Sequence, residues 1–283
     1  MSTAALSLVL GAALMHAAWN ALAKRGGDPL AFLFCAGCLS ALLYLPGSLF
    51  VLWARGFPLA ALPFVLGTVL LHAIYFFALG RAYRLGDLSL VYPIARGTGV
   101  ALSATLALFF FGERLSPLGT AGVALVVLGI FSLHWGPGLS RSRLLGPGTA
   151  WALITGLAIA GYSLVDKAGV GRLHPLPYIG LMEVGASLLL LPAVLPRPDL
   201  LRREWRANWR TIVLVAVMSP SGYLLVLFAF QLSKTGYVVA AREISIVFSA
   251  LIGGLVLREG ARGRRLAGAA VVAAGVVCVA LAR

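Results

Sequence analysis

The chain has 283 residues, of which 60% are hydrophobic and only 11% are charged, and its mean hydropathy is +0.96. A water-soluble domain carries about 25% charged residues, so this composition excludes a soluble enzyme or binding module and indicates an integral membrane protein. The formal charge of +14 would suggest nucleic acid for a soluble chain; here it implies basic loops against anionic lipid headgroups and no nucleic-acid partner.

A membrane-spanning helix needs about 20 mostly apolar residues. Ten stretches meet that criterion: 3–23, 30–52, 60–82, 88–111, 117–134, 147–167, 176–196, 211–232, 236–257 and 264–282. The first lacks a basic leading segment and is followed by many like it, so it reads as a transmembrane helix and not a cleaved signal. On it His16, Trp19, Asn20 and Lys24 fall at helical spacing on one face. An imidazole, a carboxamide and an amine do not suit lipid, so that face turns inward. The counterpart in the sixth stretch holds Tyr162, Ser163, Asp166 and Lys167; the alternative for both lysines is snorkelling at helix ends. Cys35 and Cys38 copy a metal-type spacing without a second ligand pair, so they read as helix packing and no metal site is expected.

In the third stretch and just beyond it His72, Tyr75, Phe76 and Tyr83 form a partly polar aromatic face. In the fourth, Arg96 lies inside an apolar run after Tyr92 and Pro93. An arginine at that depth costs roughly 3 kcal/mol on insertion scales unless it is paired or reaches water. Glu113, Gly122 and Gly129 follow, and all four landmarks return 146 residues later as Arg242, Glu259, Gly268 and Gly275. The spacing predicts two related halves, 1–137 with helices one to five and 147–283 with helices six to ten. Five spans per half place the second half upside down relative to the first. The fold class expected is therefore all-α, ten transmembrane helices as two inverted five-helix repeats, a plan that puts a site near the midplane where the halves meet.

The remaining deep charges are Glu183 in the seventh stretch and Glu243 beside Arg242. Successive helix positions do not face each other, so Arg242 and Glu243 should have different partners. Two readings of the arginines stand: they line a substrate path, or they only pair with Glu183, Glu243 or backbone carbonyls. Ser219-Pro220-Ser221-Gly222 should break the eighth helix. Tyr92, Tyr162, Tyr223 and Tyr237 could line the same space. Glu113 and Glu259 read as caps or interfacial pairs, and the glycines of the fifth and tenth stretches as close-packing seams. Fifteen basic residues in the odd joints against six in the even joints and at the C-terminus favour cytoplasmic odd joints. Leu201, Trp205 and Trp209 among four arginines read as a short helix in the headgroup layer. Nucleophile, zinc and phosphate-loop motifs of enzymes are missing, and no cofactor is expected.

The runs His16-Ala-Ala-Trp-Asn-Ala-Leu-Ala-Lys24, Tyr92-Pro-Ile-Ala-Arg-Gly97, Gly112-Glu-Arg-Leu-Ser116 and Ala241-Arg-Glu-Ile-Ser245 with Glu259 resemble the drug/metabolite transporter superfamily, EamA-like branch, over essentially the whole chain. The resemblance implies a secondary transporter, often an exporter, working by alternating access in a multi-pass cell membrane, here the bacterial plasma membrane. It does not name the substrate. Many members keep both termini in the cytoplasm, opposite to the charge count. On the residues, Arg96 and Arg242 would hold a carboxylate or phosphate bidentately, within a cavity walled by His16, Trp19, Asn20, Tyr75, Tyr92, Tyr162 and Tyr237. Glu183, Glu243, Lys24, Asp166, Lys167 and His72 would serve coupling or charge pairing, with a proton as candidate coupling ion. Two deep cations and two deep anions suit an amphiphilic or zwitterionic metabolite such as an amino acid, carried by a monomer or homodimer. The alternative is a polytopic scaffold or membrane-enzyme subunit.

Overall fold

Proline and capping residues set the helix starts. Asp28 accepts the Ala31 N–H at 2.9 Å and Pro29 opens the next helix, where a missing N–H is harmless; Pro147, Pro175 and Pro198 begin three more. The computed structural model describes residues 1–23, 27–134, 146–249 and 262–282. Within them the helices are α1 (Thr3–Ala23), α2 (Pro29–Arg55), α3 (Leu62–Leu85), α4 (Leu88–Phe111), α5 (Pro117–His134), α6 (Pro147–Gly169), α7 (Pro175–Val194), α8 (Pro198–Leu232), α9 (Thr235–Arg242) and α10 (Arg262–Leu281). The described residues hold no strand. Seven helices, α1–α4 and α6–α8, are long and apolar enough to cross a membrane, and α5 and α10 contribute shorter apolar stretches. Large apolar side chains such as Phe50, Trp53, Phe109 and Phe110 are exposed, as lipid-facing positions must be. The protein is an all-helical, multi-pass membrane protein. Lys24, Arg25, the joint 135–145 and Glu259 lie outside the described residues.

The glycine seams bring α5 and α10 together. A Cβ on Gly122 would stand 2.8 Å from the Gly275 carbonyl oxygen, and one on Gly129 3.1 Å from that of Gly268. Only glycine permits this approach, and the pairing shows the two helices running antiparallel. Elsewhere α1 packs on α8 and α9, α6 on α3 and α4, and α2 on α7 and α8, while α3 also meets α7.

The break expected at Ser219–Gly222 does not occur. α8 stays helical through Pro220, and its one non-helical residue is Asn208, at φ −129° and ψ 16°. Proline removes the N–H that would reach the Ala216 carbonyl four residues back. Ser40 on α2 supplies the substitute, with its hydroxyl 2.9 Å from that oxygen. Tyr44, one turn on, reaches the Ser221 hydroxyl at 2.5 Å. The Asn208 bend instead separates an Arg- and Trp-rich leading turn from the apolar span. That leading stretch is helical from Pro198 and is set off from the apolar span at the non-helical Asn208, in keeping with the short helix expected there. Glu204 anchors it, accepting the backbone N–H groups of Gly27 and Asp28 at 3.1 Å each, and Asp28 pairs with Arg84 at 3.1 Å. The joints before α2, after α3 and before α8 therefore share one face. His174 caps α7 from the other face, accepting the Leu176 N–H through Nδ1 at 3.2 Å. Partial burial and the nearby Arg55 hold its pKa below the usual imidazole value, which keeps that nitrogen free to accept.

Removing the Ser40 hydroxyl should leave a buried carbonyl unpaired, at about 1–3 kcal/mol. Ser40→Ala is expected to lower the thermal unfolding midpoint in detergent. In a Pro220→Ala background, where an N–H returns to Ala216, the same substitution should cost less than half as much. Additive losses would contradict this account of the kink.

Candidate functional site

The buried charged residues Arg96, Arg242 and Glu243 gather at the end of α9. The ninth stretch, expected as one helix, breaks at its two charges. α9 stops at Arg242, Glu243 turns at φ −68° and ψ −7° with its N–H on the Ala240 and Ala241 carbonyls, and helix resumes at 244–249. Consecutive helix positions do not share a face, so the two side chains meet different partners, as expected. Glu243 meets Arg96 of α4, with Nη2 2.7 Å from Oε1 and Nε 3.1 Å from Oε2. The ion pair is buried, 5% and 1% exposed on its two sides; its one hydrogen bond runs from Nε, while Nη2 meets Oε1 as a charge contact outside hydrogen-bond geometry. The protein itself therefore neutralises Arg96.

Arg242 has no such carboxylate. It is buried, donates to the Tyr162 hydroxyl at 3.3 Å and lies 5.8 Å from the centre of the Tyr223 ring; its Nε has no hydrogen-bond partner among the described residues. It lines a cavity of about 60 Å³ together with His16, Trp19, His72, Tyr75 and Glu183. That volume holds a few waters. Tyr162, Phe76 and Tyr223 complete the aromatic wall. His72 stacks on Tyr162 with centroids 4.3 Å apart, and its Nδ1 is fixed on Thr68, 3.0 Å from both hydroxyl and carbonyl.

Behind the wall lies Asp166, which is wholly buried. It accepts the Tyr178 hydroxyl at 2.9 Å on one oxygen and the Tyr223 hydroxyl on the other. Tyr223 thus joins the cavity arginine to a buried carboxylate through its ring and its hydroxyl. Lys167, the next residue, leaves the cavity. Its Nζ donates to the Ser233 carbonyl at 2.9 Å and to that of Phe230, while Glu113 accepts the Thr235 N–H at 2.6 Å. A cation on the last carbonyls of α8 and an anion on the first N–H of α9 complement both helix dipoles.

Of the residues singled out from the sequence, His16, Trp19, His72, Tyr75, Tyr162, Glu183 and Arg242 come together at the cavity. Asn20 does not; it donates to the His16 carbonyl at 2.9 Å. Tyr237 accepts the Ser116 N–H at 3.0 Å and packs on Gly119, and Tyr92 packs against the main core. Arg96 and Glu243 pair with each other outside the lining. Asp166 forms part of the second layer, Lys167 caps α8, and Lys24 is outside the described residues. Tyr223, one of the four tyrosines the sequence suggested for this space, does line it; Phe76 was noted only as part of the aromatic face of α3, and that spacing was the available signal.

Losing one partner of a buried ion pair costs about 3–5 kcal/mol, because the other charge is left uncompensated. Glu243→Gln should accordingly lower the amount of folded protein and the unfolding midpoint sharply, whereas Arg96→Met combined with Glu243→Gln should recover much of the loss. A double variant as unstable as the single one would contradict a structural pair.

The comparisons agree with this architecture. A solved crystal structure of a protein superposes with a TM-score of 0.78 at 17% identity, covering 99% of each chain, a likeness of fold alone. The uncharacterized protein y4nH of Sinorhizobium fredii is 31% identical over 116 residues, 38% of this chain and 96% of that relative. The pattern of the EamA-like transporter family matches residues 146–281. The chain belongs to the EamA-like transporter family, within the drug/metabolite transporter superfamily.

Proposed function

We propose that the protein is a secondary active transporter, working as an exporter in a cell membrane, for a small amphiphilic or zwitterionic metabolite such as an amino acid. The observation that carries this reading is Arg242: a buried guanidinium with Nε unpartnered, at a helix break, facing an aromatic-walled cavity. Its planar fork suits a carboxylate or phosphate. Apolar and aromatic walls with a few converging polar groups are what a small-molecule site requires. The cavity is too small for an amino acid as it stands, so binding needs the surrounding helices to part. Alternating access supplies that movement.

Two features support inverted repeats over 1–137 and 147–283, giving ten spans. Exchanging α1–α5 with α6–α10 converts the α1–α8, α1–α9 and α2–α8 contacts into α6–α3, α6–α4 and α7–α3, all of which are present. It also converts the Gly122–Gly275 approach into Gly268–Gly129. The match at 96% to a relative that 116 residues nearly exhaust fits a unit of about one repeat. Glu243 breaks the symmetry, since its counterpart is Gly97. One half therefore donates the neutralising carboxylate, and the other arginine is left for the substrate.

Arg242→Lys should keep its charge and reach the membrane, yet bind carboxylate ligands at least tenfold more weakly, about 1.4 kcal/mol. Arg96→Lys should lose stability without a comparable loss of affinity. A thermal-stabilisation screen of small carboxylates on the three proteins measures both; equal affinity in Arg242→Lys and the parent would overturn the role of Arg242. Orientation is tested separately. With Cys35, Cys38 and Cys278 replaced by alanine, Ala207→Cys in the Arg-rich turn should resist membrane-impermeant thiol reagents in intact cells. Ready labelling would place that face outside and reverse the charge-based topology.

A further inference from the structure

We propose that Glu183 forms a second subsite, which receives a primary ammonium group while Arg242 holds the carboxylate of the same ligand. The assignment rests on the transporter reading above and adds the other half of the substrate's chemistry.

Four carboxylates among the described residues are buried: Asp166, Glu183, Glu204 and Glu243. Asp166 has two tyrosine hydroxyls, Glu204 two backbone N–H groups and Asn208, and Glu243 has Arg96. Glu183, 8% exposed, has neither a hydrogen bond nor an ion pair among the described residues. A carboxylate removed from water without a partner is costly by several kcal/mol. Such a group either takes a proton or receives a cation.

Glu183 also occupies a special position. It lies in the wall between the Arg242 cavity and a smaller one of about 30 Å³ between α2, α3, α7 and α8, and Phe76 and Ser219 share that wall. Ser40, Ser187 and Ser219 line the smaller space, which is otherwise apolar. Gly37 leaves α2 open there: a Cβ on it would stand 3.2 Å from Ser187 Oγ and 3.8 Å from Glu183 Oε2. One carboxylate with hydroxyl oxygens beside it matches the three donors of an ammonium. The pocket suits a compact cation of that kind better than a planar guanidinium. With Arg242 in the adjoining cavity, the two charges form a dipole that complements a zwitterion and opposes either a dication or a dianion.

The test uses the full chain purified in detergent and three matched probe series of alkyl and arylalkyl compounds: carboxylates, amines and α-amino acids. Amines should bind the parent, bind Glu183→Gln at least tenfold more weakly, and recover in part with Glu183→Asp. Carboxylates should bind the parent and Glu183→Gln alike. The subsite is overturned if amines bind Glu183→Gln as well as they bind the parent, if carboxylates bind and no amine does, or if sodium ion stabilises the parent where amines do not. Failure of the carboxylates alone, with amines still dependent on Glu183, would instead overturn the Arg242 reading and leave this one standing. The isosteric glutamine keeps the fold, which elution of the variant as a single species checks.

Discussion

The buried pair of Arg96 with Glu243 is the interaction on which the rest of this structure depends. A bilayer interior offers no water to solvate a charge, so each deep ionic group needs a partner within the protein. Two deep arginines lie 146 residues apart in the sequence, and one carboxylate serves the first. The contacts at 2.7 and 3.1 Å tie α4 to the residue after α9. Arg242, one position earlier, points elsewhere, as adjacent helix positions do, and lines the cavity.

Backbone groups obey the same rule. Pro220 would leave the Ala216 carbonyl unpaired in a medium without water, and Ser40 meets it. The α8–α9 corner would leave carbonyls and N–H groups open, and Lys167 and Glu113 meet those. These contacts make a firm frame in which polar capacity left over is informative. Among the described residues Arg96 Nη2, Arg242 Nε and Ser245 Oγ are buried without a hydrogen bond; of these only Arg242 lines the larger cavity, together with the Glu183 carboxylate.

Much of this was legible in the sequence, because the membrane suppresses charge and makes each exception visible. The arginines, the glycine seams and most helix limits followed from spacing alone; α4 and α5 have the bounds their apolar runs predict. Partner choice was not legible. Glu243 and Glu183 look alike as isolated carboxylates in apolar stretches, and only packing of α4 on α9 decides which one reaches Arg96. The Ser-Pro-Ser-Gly run carried a strong break signal, yet a hydroxyl from another helix removed the need for a break. The actual break at Arg242-Glu243 contains no proline or glycine, so no local propensity announces it. Asp166 was visible as a buried acid, but its two tyrosines come from α7 and α8, more distant in sequence than any spacing rule reaches.

Counterflow in sealed vesicles containing only the purified protein tests the central claim most directly. Vesicles loaded with an unlabelled mixture of amino acids and diluted into trace radiolabelled ones should accumulate at least one label transiently above its equilibrium level, with no added energy source. Folded protein that gives no overshoot with any member of the mixture, or with the matched carboxylates, would contradict a carrier built around Arg242.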